Sequence, residues 1–234
     1  MPNEPRILFL DIETKPAIVA SFGIREQNIS YKQILKDGGT ICVGLGWGNE
    51  RKVRVVSEWE HGYQGMLNEV HAALSEADAV ATYNGARFDM PKLMGNFLLA
   101  GMKPPPPPTQ IDIYKTIRKM GLICSKLDYI APQLGLGSKV KHDGLDMWLK
   151  VMDGDEAARR KMAHYCAGDV RLLKAVYARV KPFIMDHPHL AGESCSCGST
   201  HYQRRGYHKT RSFKTERLQC QDCGTWRLGK RSKV

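Results

Sequence analysis

The first apolar positions of the chain come as a continuous run with no helical spacing. Ile7 to Leu10 carries no polar interruption, which predicts a buried strand in the middle of a sheet. ICVGLGW (Ile41 to Trp47) and KVRVVS (Lys52 to Ser57) flank GNER, and they predict a hairpin whose second strand alternates apolar and basic residues. From Tyr63 to Leu74 the apolar positions Met66, Leu67, Val70, Ala73 and Leu74 fall on one side of a helix. ADAVATYNG predicts a short buried strand ending at Tyr83 and Asn84, followed by a helix over roughly Met90 to Ala100. Lys103 then precedes five prolines, Pro104 to Pro108, a polyproline II spacer that excludes both helix and central strand. TQIDIYKTI resumes as a strand or extended segment running into a helix, and SKLDYIAPQLGLG predicts a helix closed by glycine. Asp155 to Ile184 carries one long helical pattern or two abutting ones. Lys15 to Gly39, punctuated by Pro16, Gly23, Gly38 and Gly39, shows no period and is expected to be loop-like. Strands alternating with helices predict an α/β domain.

At 234 residues, with 42% hydrophobic and 25% charged residues, the chain can bury one full core and carry a small appendage. No apolar run approaches the roughly 20 residues needed to span a bilayer. The N-terminal MPNEPR lacks the apolar stretch of a signal peptide, so a cytoplasmic location is expected. The net charge of +11 is unevenly shared: residues 187–234 hold ten Lys and Arg against three Asp and Glu. Cysteines divide in the same way. Cys42, Cys124 and Cys166 are scattered, whereas Cys195, Cys197, Cys220 and Cys223 fall in two close pairs within the basic tail. Close pairs in a cytosolic chain suggest a metal rather than disulfides. The expected organisation is an α/β domain over residues 1–186 and a basic, cysteine-paired tail over 187–234.

The first strand delivers Asp11 and Glu13 one residue apart. Side chains at i and i+2 share a face of a strand, so two carboxylates aim at one small volume, where a cation must neutralise them. Oxygen-only ligation suits a hard ion, Mg²⁺ or Mn²⁺. Two further acids are candidates for the same site: Asp89 in YNGARFDMPKL, and Asp169 in YCAGDVRLLKAVY. Tyr165 precedes Asp169 by four residues, about 400° around a helix, and so shares its face. Asp112 in QIDIY is expected to be structural.

DIET, YNGARFD and YCAGD, in this order and at these separations, resemble the three exonuclease motifs of the DnaQ-like DEDD family, whose fold is ribonuclease H-like. They are most similar to the tyrosine branch found in proofreading domains of family B DNA polymerases. SKLDYIAPQLGLG resembles the helix that precedes the third motif. The resemblance covers about Arg6 to Ile184, and no polymerase domain is expected within the sequence. With its basic tail the arrangement is similar to stand-alone exonuclease-like proteins of phages and prophages. His164, five residues before Asp169, has the spacing of the histidine branch, but on a continuous helix it lies some 140° away from Asp169, so Tyr165 is taken as catalytic.

The resemblance implies a mixed sheet flanked by helices and 3′-5′ exonucleolytic hydrolysis of phosphodiester bonds in DNA, with single-stranded ends as substrate. It also implies two Mg²⁺ or Mn²⁺ ions about 3.5 to 4 Å apart. Asp11 would bridge both ions, Glu13 and Asp169 would hold the one carrying the nucleophilic water, and Asp89 would anchor the second through water. Tyr165 would orient the attacking water. An exoribonuclease and a catalytically silent nucleic-acid-binding module are the alternatives.

In the tail, Cys195 and Cys197 are separated from Cys220 and Cys223 by 22 residues, and Cys197 and Cys223 are each followed by glycine. Two cysteine turns bracketing a hairpin-length segment resemble a zinc ribbon, with four thiolates around one structural Zn²⁺. A ribbon knuckle usually has two residues between its cysteines and CSC has one, so His201 or His189 is an alternative ligand to Cys195. So short a segment with few aliphatic residues needs a metal to fold. Between the pairs, Arg204, Arg205, Lys209, Arg211, Lys214 and Arg217 interleave with Tyr202, Tyr207 and Phe213, a composition suited to single-stranded nucleic acid. The segment is similar to ribbons attached to transposases and other DNA-handling enzymes. The candidate nucleic-acid contacts are Asn84 and Phe88 beside Asp89, together with Arg204, Arg205, Tyr207, Lys209, Arg211 and Lys214.

Overall fold

The computed structural model describes residues 5–25, 27–184, 187, 195, 197–210 and 212–233. In chain order the elements are β1 (Ile7–Lys15), β2 (Ile18–Val19), β3 (Ile34–Lys36), β4 (Gly39–Trp47), β5 (Val53–Ser57), α1 (Glu58–Glu76), β6 (Ala79–Thr82), α2 (Asp89–Leu99), β7 (Thr109–Asp112), α3 (Ile113–Arg118), α4 (Leu127–Gln133), α5 (Leu145–Met152), α6 (Glu156–Val180), β8 (Tyr202–Lys209), β9 (Phe213–Cys220) and β10 (Trp226–Lys233). Five strands form a mixed sheet ordered β5-β4-β1-β6-β7. The apolar run Ile7–Leu10 thus lies at its centre, antiparallel to β4 on one side and parallel to β6 on the other.

Alternation along β1 divides the core into two layers. Leu8, Leu10 and Ile12 face α1 and α2, where Met66, Leu67, Val70, Leu74, Leu93 and Phe97 are buried against them. Ile7 and Phe9 face the opposite way, onto Val170, Leu173, Val176 and Tyr177 of α6. A further cluster joins Ile41 and Cys42 of β4 to Met147, Val151, Met162 and Cys166 of α5 and α6, and each buried aliphatic side chain contributes roughly 1.5–3 kcal/mol. α6 is one continuous helix. It starts where the Asp155 carboxylate accepts the Ala158 N–H at 2.7 Å, a cap that contributes about 1 kcal/mol.

The approach of α6 to the sheet is set by glycine. A Cβ on Gly44 would lie 2.7 Å from Val170 Cγ2, closer than real side chains come, and a tight 3.1 Å from Cys166 Sγ. Gly44 is paired with Asp11 across the β1–β4 ladder, so the bare position stands beside the first acid of the candidate site.

Several elements differ from the pattern expectation. β1 does not stop at Glu13: it runs to Lys15 on β4, while β6 pairs only with Ile7 to Phe9. Asp11 is therefore mid-strand on one side and beyond the sheet on the other. The strand expected to end at Tyr83 and Asn84 stops at Thr82. α1 begins at Glu58, five residues before the expected helix, and is broken at Gly62 (φ 66°), so its regular part starts where the apolar spacing does. The segment expected to be loop contains the small antiparallel pair β2 and β3. Pro104–Pro108 forms no helix or strand. Among the described residues, no helix is long and apolar enough to cross a membrane.

The tail residues form a separate three-stranded antiparallel sheet, ordered β10-β9-β8. β8 and β9 are the hairpin expected between the cysteine pairs. β10 adds a third strand that the pattern does not announce.

Candidate functional site

The geometry begins with parity. Asp11 and Glu13 follow Ile7 and Phe9 on the face covered by α6, and α6 presents Asp169 to the same point. One carboxylate oxygen from each of Asp11, Glu13 and Asp169 lies within 4.8 Å of the others. Asp89 joins from a third segment. In the turn leading to it, Asn84 adopts a left-handed backbone (φ 66°) and donates its N–H to Asp112 Oδ1 at 2.9 Å. Gly85 then packs where a Cβ would meet the Thr82 side chain at 2.4 Å. The chain thereby turns sharply enough to start α2 at Asp89, whose Oδ1 accepts the Ile12 N–H at 3.1 Å. Asp89 is thus tied to the β1 backbone between Asp11 and Glu13, adjacent to the three-carboxylate group rather than part of it.

Burial and mutual repulsion govern the electrostatics. Asp11 is raised well above the ordinary carboxylate range by burial first, then by the charges of Asp89, Glu13 and Asp169. Glu13 is pushed up to about 8, by burial and then by Asp169. Burial also lifts Asp89 to about 6, against the lowering effect of its backbone hydrogen bonds. Asp169 is buried, and its Oδ1 has no hydrogen-bond partner. An orphaned buried carboxylate oxygen within a cluster of acids fits the oxygen-donor set of a hard divalent cation.

Tyr165 is buried on α6 beside Asp169, and its phenol is raised by burial and then by the Asp169 charge. His164 is exposed, as the continuous helix requires. The residue that the motifs do not reveal is Lys139. Its Nζ donates to Asp169 Oδ2 at 2.7 Å and lies 5.7 Å from the centroid of the Tyr165 ring. Burial opposes the lysine's charge, but the hydrogen bond and charge of Asp169 outweigh it and hold the ammonium firmly protonated. Lys139 stands in GSKVKHDG, a stretch without period or motif, so only the three-dimensional placement could find it.

An open cleft of about 300 Å³ is lined by Tyr83, Asn84, Tyr114, Lys126, Asp128 and Lys139 among others, and is linked to the acids through the Lys139–Asp169 hydrogen bond. Asn84 thus borders the cleft. Phe88 is 44% exposed, with the Lys92 ammonium 5.1 Å from its ring centroid. Asp112 takes the structural part expected of it in holding the Asn84 turn.

The second cluster is formed by Cys195, Cys197, Cys220 and Cys223, none of them in a disulfide, with sulfurs within 4.8 Å of one another. Cys195 and Cys223 sulfurs are 3.4 Å apart, those of Cys197 and Cys220 3.7 Å. A zinc tetrahedron with arms of 2.3 Å has edges of about 3.8 Å, so the thiols fit that ion. Each knuckle turns at its glycine, Gly198 (φ 87°) and Gly224 (φ 76°), which lets CSC and CQDC present their sulfurs alike. Burial would raise the Cys195 thiol, but the Cys197 N–H and the neighbouring thiols lower it to about 6. His201 is exposed and lies 3.5 Å from Asp222, whereas His189 falls outside the described residues.

The candidate contacts of the tail do not share one surface. Arg204, Tyr207, Lys209 and Lys214 lie on one face of the three-stranded sheet and Arg205 on the other, following the register and the shift between Arg204 and Tyr207. Arg211 lies outside the described residues.

A mixed sheet between helices, with acids gathered over its central strand, defines the class: an α/β protein with a ribonuclease H-like fold and a candidate divalent-cation site. The family described as RNase_H superfamily matches residues 34–181, and the chain belongs to it. That match includes Asp89, Lys139, Tyr165 and Asp169 and begins after Asp11 and Glu13. Among solved structures, the family B DNA polymerase of the hyperthermophilic archaeon Pyrobaculum calidifontis is similar with a TM-score of 0.58 and 17% identity. The likeness covers 77% of this chain and 25% of the polymerase. RNase D of Trypanosoma brucei is similar with a TM-score of 0.48 and 16% identity, over 74% of this chain and 57% of that one. The chain therefore spans a quarter of the first protein's length and little more than half of the second's. No curated protein matches it.

Proposed function

We propose that the chain is a metal-dependent 3′-5′ exonuclease of the DnaQ-like DEDD type, tyrosine branch, hydrolysing phosphodiester bonds in DNA from single-stranded ends. The observation that carries this reading is the meeting of Asp11, Glu13 and Asp169 within 4.8 Å, with Asp89 fastened beside them and Tyr165 buried next to Asp169. Acids from three distant segments, each raised or orphaned by burial, are a costly arrangement that a cation binding site explains.

Asp11, Glu13 and Asp169 would hold the divalent ions, with Asp89 supporting from the α2 terminus. When bound, such ions supply an activated water and neutralise charge on the scissile phosphate. The protein's own groups do the rest. Tyr165 stays protonated and so can donate a hydrogen bond that orients the attacking water, a role suited to a phenol too weakly acidic to be a base. Lys139 brings a positive charge to the lining of the cleft beside Asp169, where a phosphate could be held. Residues 187–234 form, in this reading, a zinc-bound ribbon that grips nucleic acid, separate from the catalytic unit of residues 1–186.

The test is hydrolysis of 5′-labelled single-stranded DNA, duplex DNA and RNA with Mg²⁺ or Mn²⁺, against EDTA. A ladder shortening from the 3′ end of single-stranded DNA is expected. A preference for RNA would reassign the substrate. No cutting with either metal, or full activity in the Asp11→Asn protein, would end the nuclease reading.

A further inference from the structure

We infer that single-stranded nucleic acid lies on one particular face of the three-stranded sheet, the face bearing Phe213, Arg217, Trp226 and Arg231, and not on the face bearing Arg204, Tyr207 and Lys214. This rests on the reading of the tail as a nucleic-acid grip and is independent of catalysis at the carboxylates.

The ladders assign the faces. Trp226 pairs with Gln219, Arg231 with Thr215 and Lys233 with Phe213, which places these residues and Arg217 on one side. Arg205 joins them, donating from Nε to Gln219 Oε1 at 3.2 Å. Tyr202, Arg204, Tyr207, Lys214 and Glu216 occupy the other side by the same ladders.

Charge separates the two. Glu216, the sole acid among the described residues of the three strands, stands on the Tyr207 face, where it takes the Arg204 guanidinium at 3.5 Å. The opposite face is purely cationic. Cations lie over rings on both faces, Lys214 and Arg204 over Tyr207 and Arg227 over Tyr202 on the face that holds Glu216. On the acid-free face both stacks are guanidinium on ring, with the Arg231 guanidinium carbon 3.7 Å from the Phe213 centroid and that of Arg217 4.9 Å from Trp226. A guanidinium laid on a ring offers a flat outer surface to a base and N–H donors to a phosphate at the same point. Phe213 and Trp226 mark opposite ends of β9, roughly 20 Å apart at strand rise, so an extended strand can meet both stacks in succession. A lipid surface fits poorly, because binding there needs apolar side chains free to insert. Here the rings lie under guanidinium groups, and Leu228 is the exposed large aliphatic of this face.

The experiment measures binding of a fluorescent 20-residue oligothymidylate to the full chain carrying Asp11→Asn, with zinc retained and salt varied. Arg217→Ala with Arg231→Ala is expected to weaken binding at least about tenfold at low salt. It should also flatten the log–log salt slope by about 1.4, two lost phosphate contacts at about 0.7 each. Arg204→Ala with Lys214→Ala is expected to cost less than about threefold, since Glu216 already pairs with Arg204. If the first pair loses zinc, Arg205→Ala with Lys233→Ala probes the same face from its rim and should also flatten the slope. Equal losses from both faces, a larger loss from the Arg204 pair, or no loss from either cationic-face pair would overturn the assignment. So would equal affinity for a duplex, or binding to anionic lipid vesicles without binding to the strand. A failed nuclease reading shows instead as missing hydrolysis by the unsubstituted chain, so the two failures are distinguishable.

Discussion

The chain builds two candidate metal centres by opposite physical routes. The acids sit over a large apolar core, and their repulsion is a burden which that core tolerates. The cysteines sit in a sheet with almost no core: from Cys195 onward, the described residues that are buried are Cys195, Cys220 and Thr225. In the first region a core brings the acids together; in the second, four thiols stand where a core would be. Metal removal should therefore affect the two regions in contrary senses.

The largest effect is expected in the tail. Cys220→Ser, or removal of zinc, should unfold the β8–β10 sheet, because structural zinc contributes on the order of 10 kcal/mol to such small units. Loss of amide-exchange protection in Tyr202–Lys233, with the main thermal transition left in place, is the readout; unchanged protection would break the contrast. Next, Asp11→Asn should lower hydrolysis more than roughly 100-fold, beyond the 10- to 100-fold typical of outer-shell changes. The same substitution should raise the melting temperature of the chain free of divalent ions at pH 8, a gain that would be absent if the acids did not repel.

Tyr165→Phe should slow hydrolysis by roughly 10- to 100-fold, with folding intact, whereas His164→Ala should stay within about twofold. Reversal of that order in a single-turnover assay would transfer the role to the histidine. The smallest effect is a pH dependence. Glu13, lifted to about 8, and Asp89, lifted to about 6, hold protons in the folded state that the unfolded chain releases near 4. The unfolded chain then binds fewer protons, so stability falls as pH rises from about 4 through 8. A steady decline in melting temperature between pH 5 and 9 without divalent ions is expected, at about 2–4 °C per kcal/mol. Mg²⁺ or Mn²⁺ should diminish it most at the alkaline end.

Much of the larger region was legible because its signals are local. Ile7–Leu10 is apolar without a break, the β4–β5 hairpin flanks a short turn, and the α6 period places Tyr165 and Asp169 together. Lys139 was not legible, since a loop contributes a side chain by path and not by period. The tail hid more. β10 buries nothing from Leu228 to Lys233, so hydrophobic alternation, the usual mark of a strand, has nothing to report there. The register shifts in β8 and β10 also break the i, i+2 parity, which is why Arg204 and Tyr207 share a face although they stand three residues apart.

The pairing of Asp11 with Gly44 reaches beyond packing. One strand brings the reactive group and its neighbour contributes an omission, a missing methyl through which α6 settles and Asp169 comes within range. A search for acids alone sees half of such a centre. The other half is written as emptiness, and a single carbon added there would press on Val170 and Cys166 of the helix that carries Asp169 while every charged group remained in the chain.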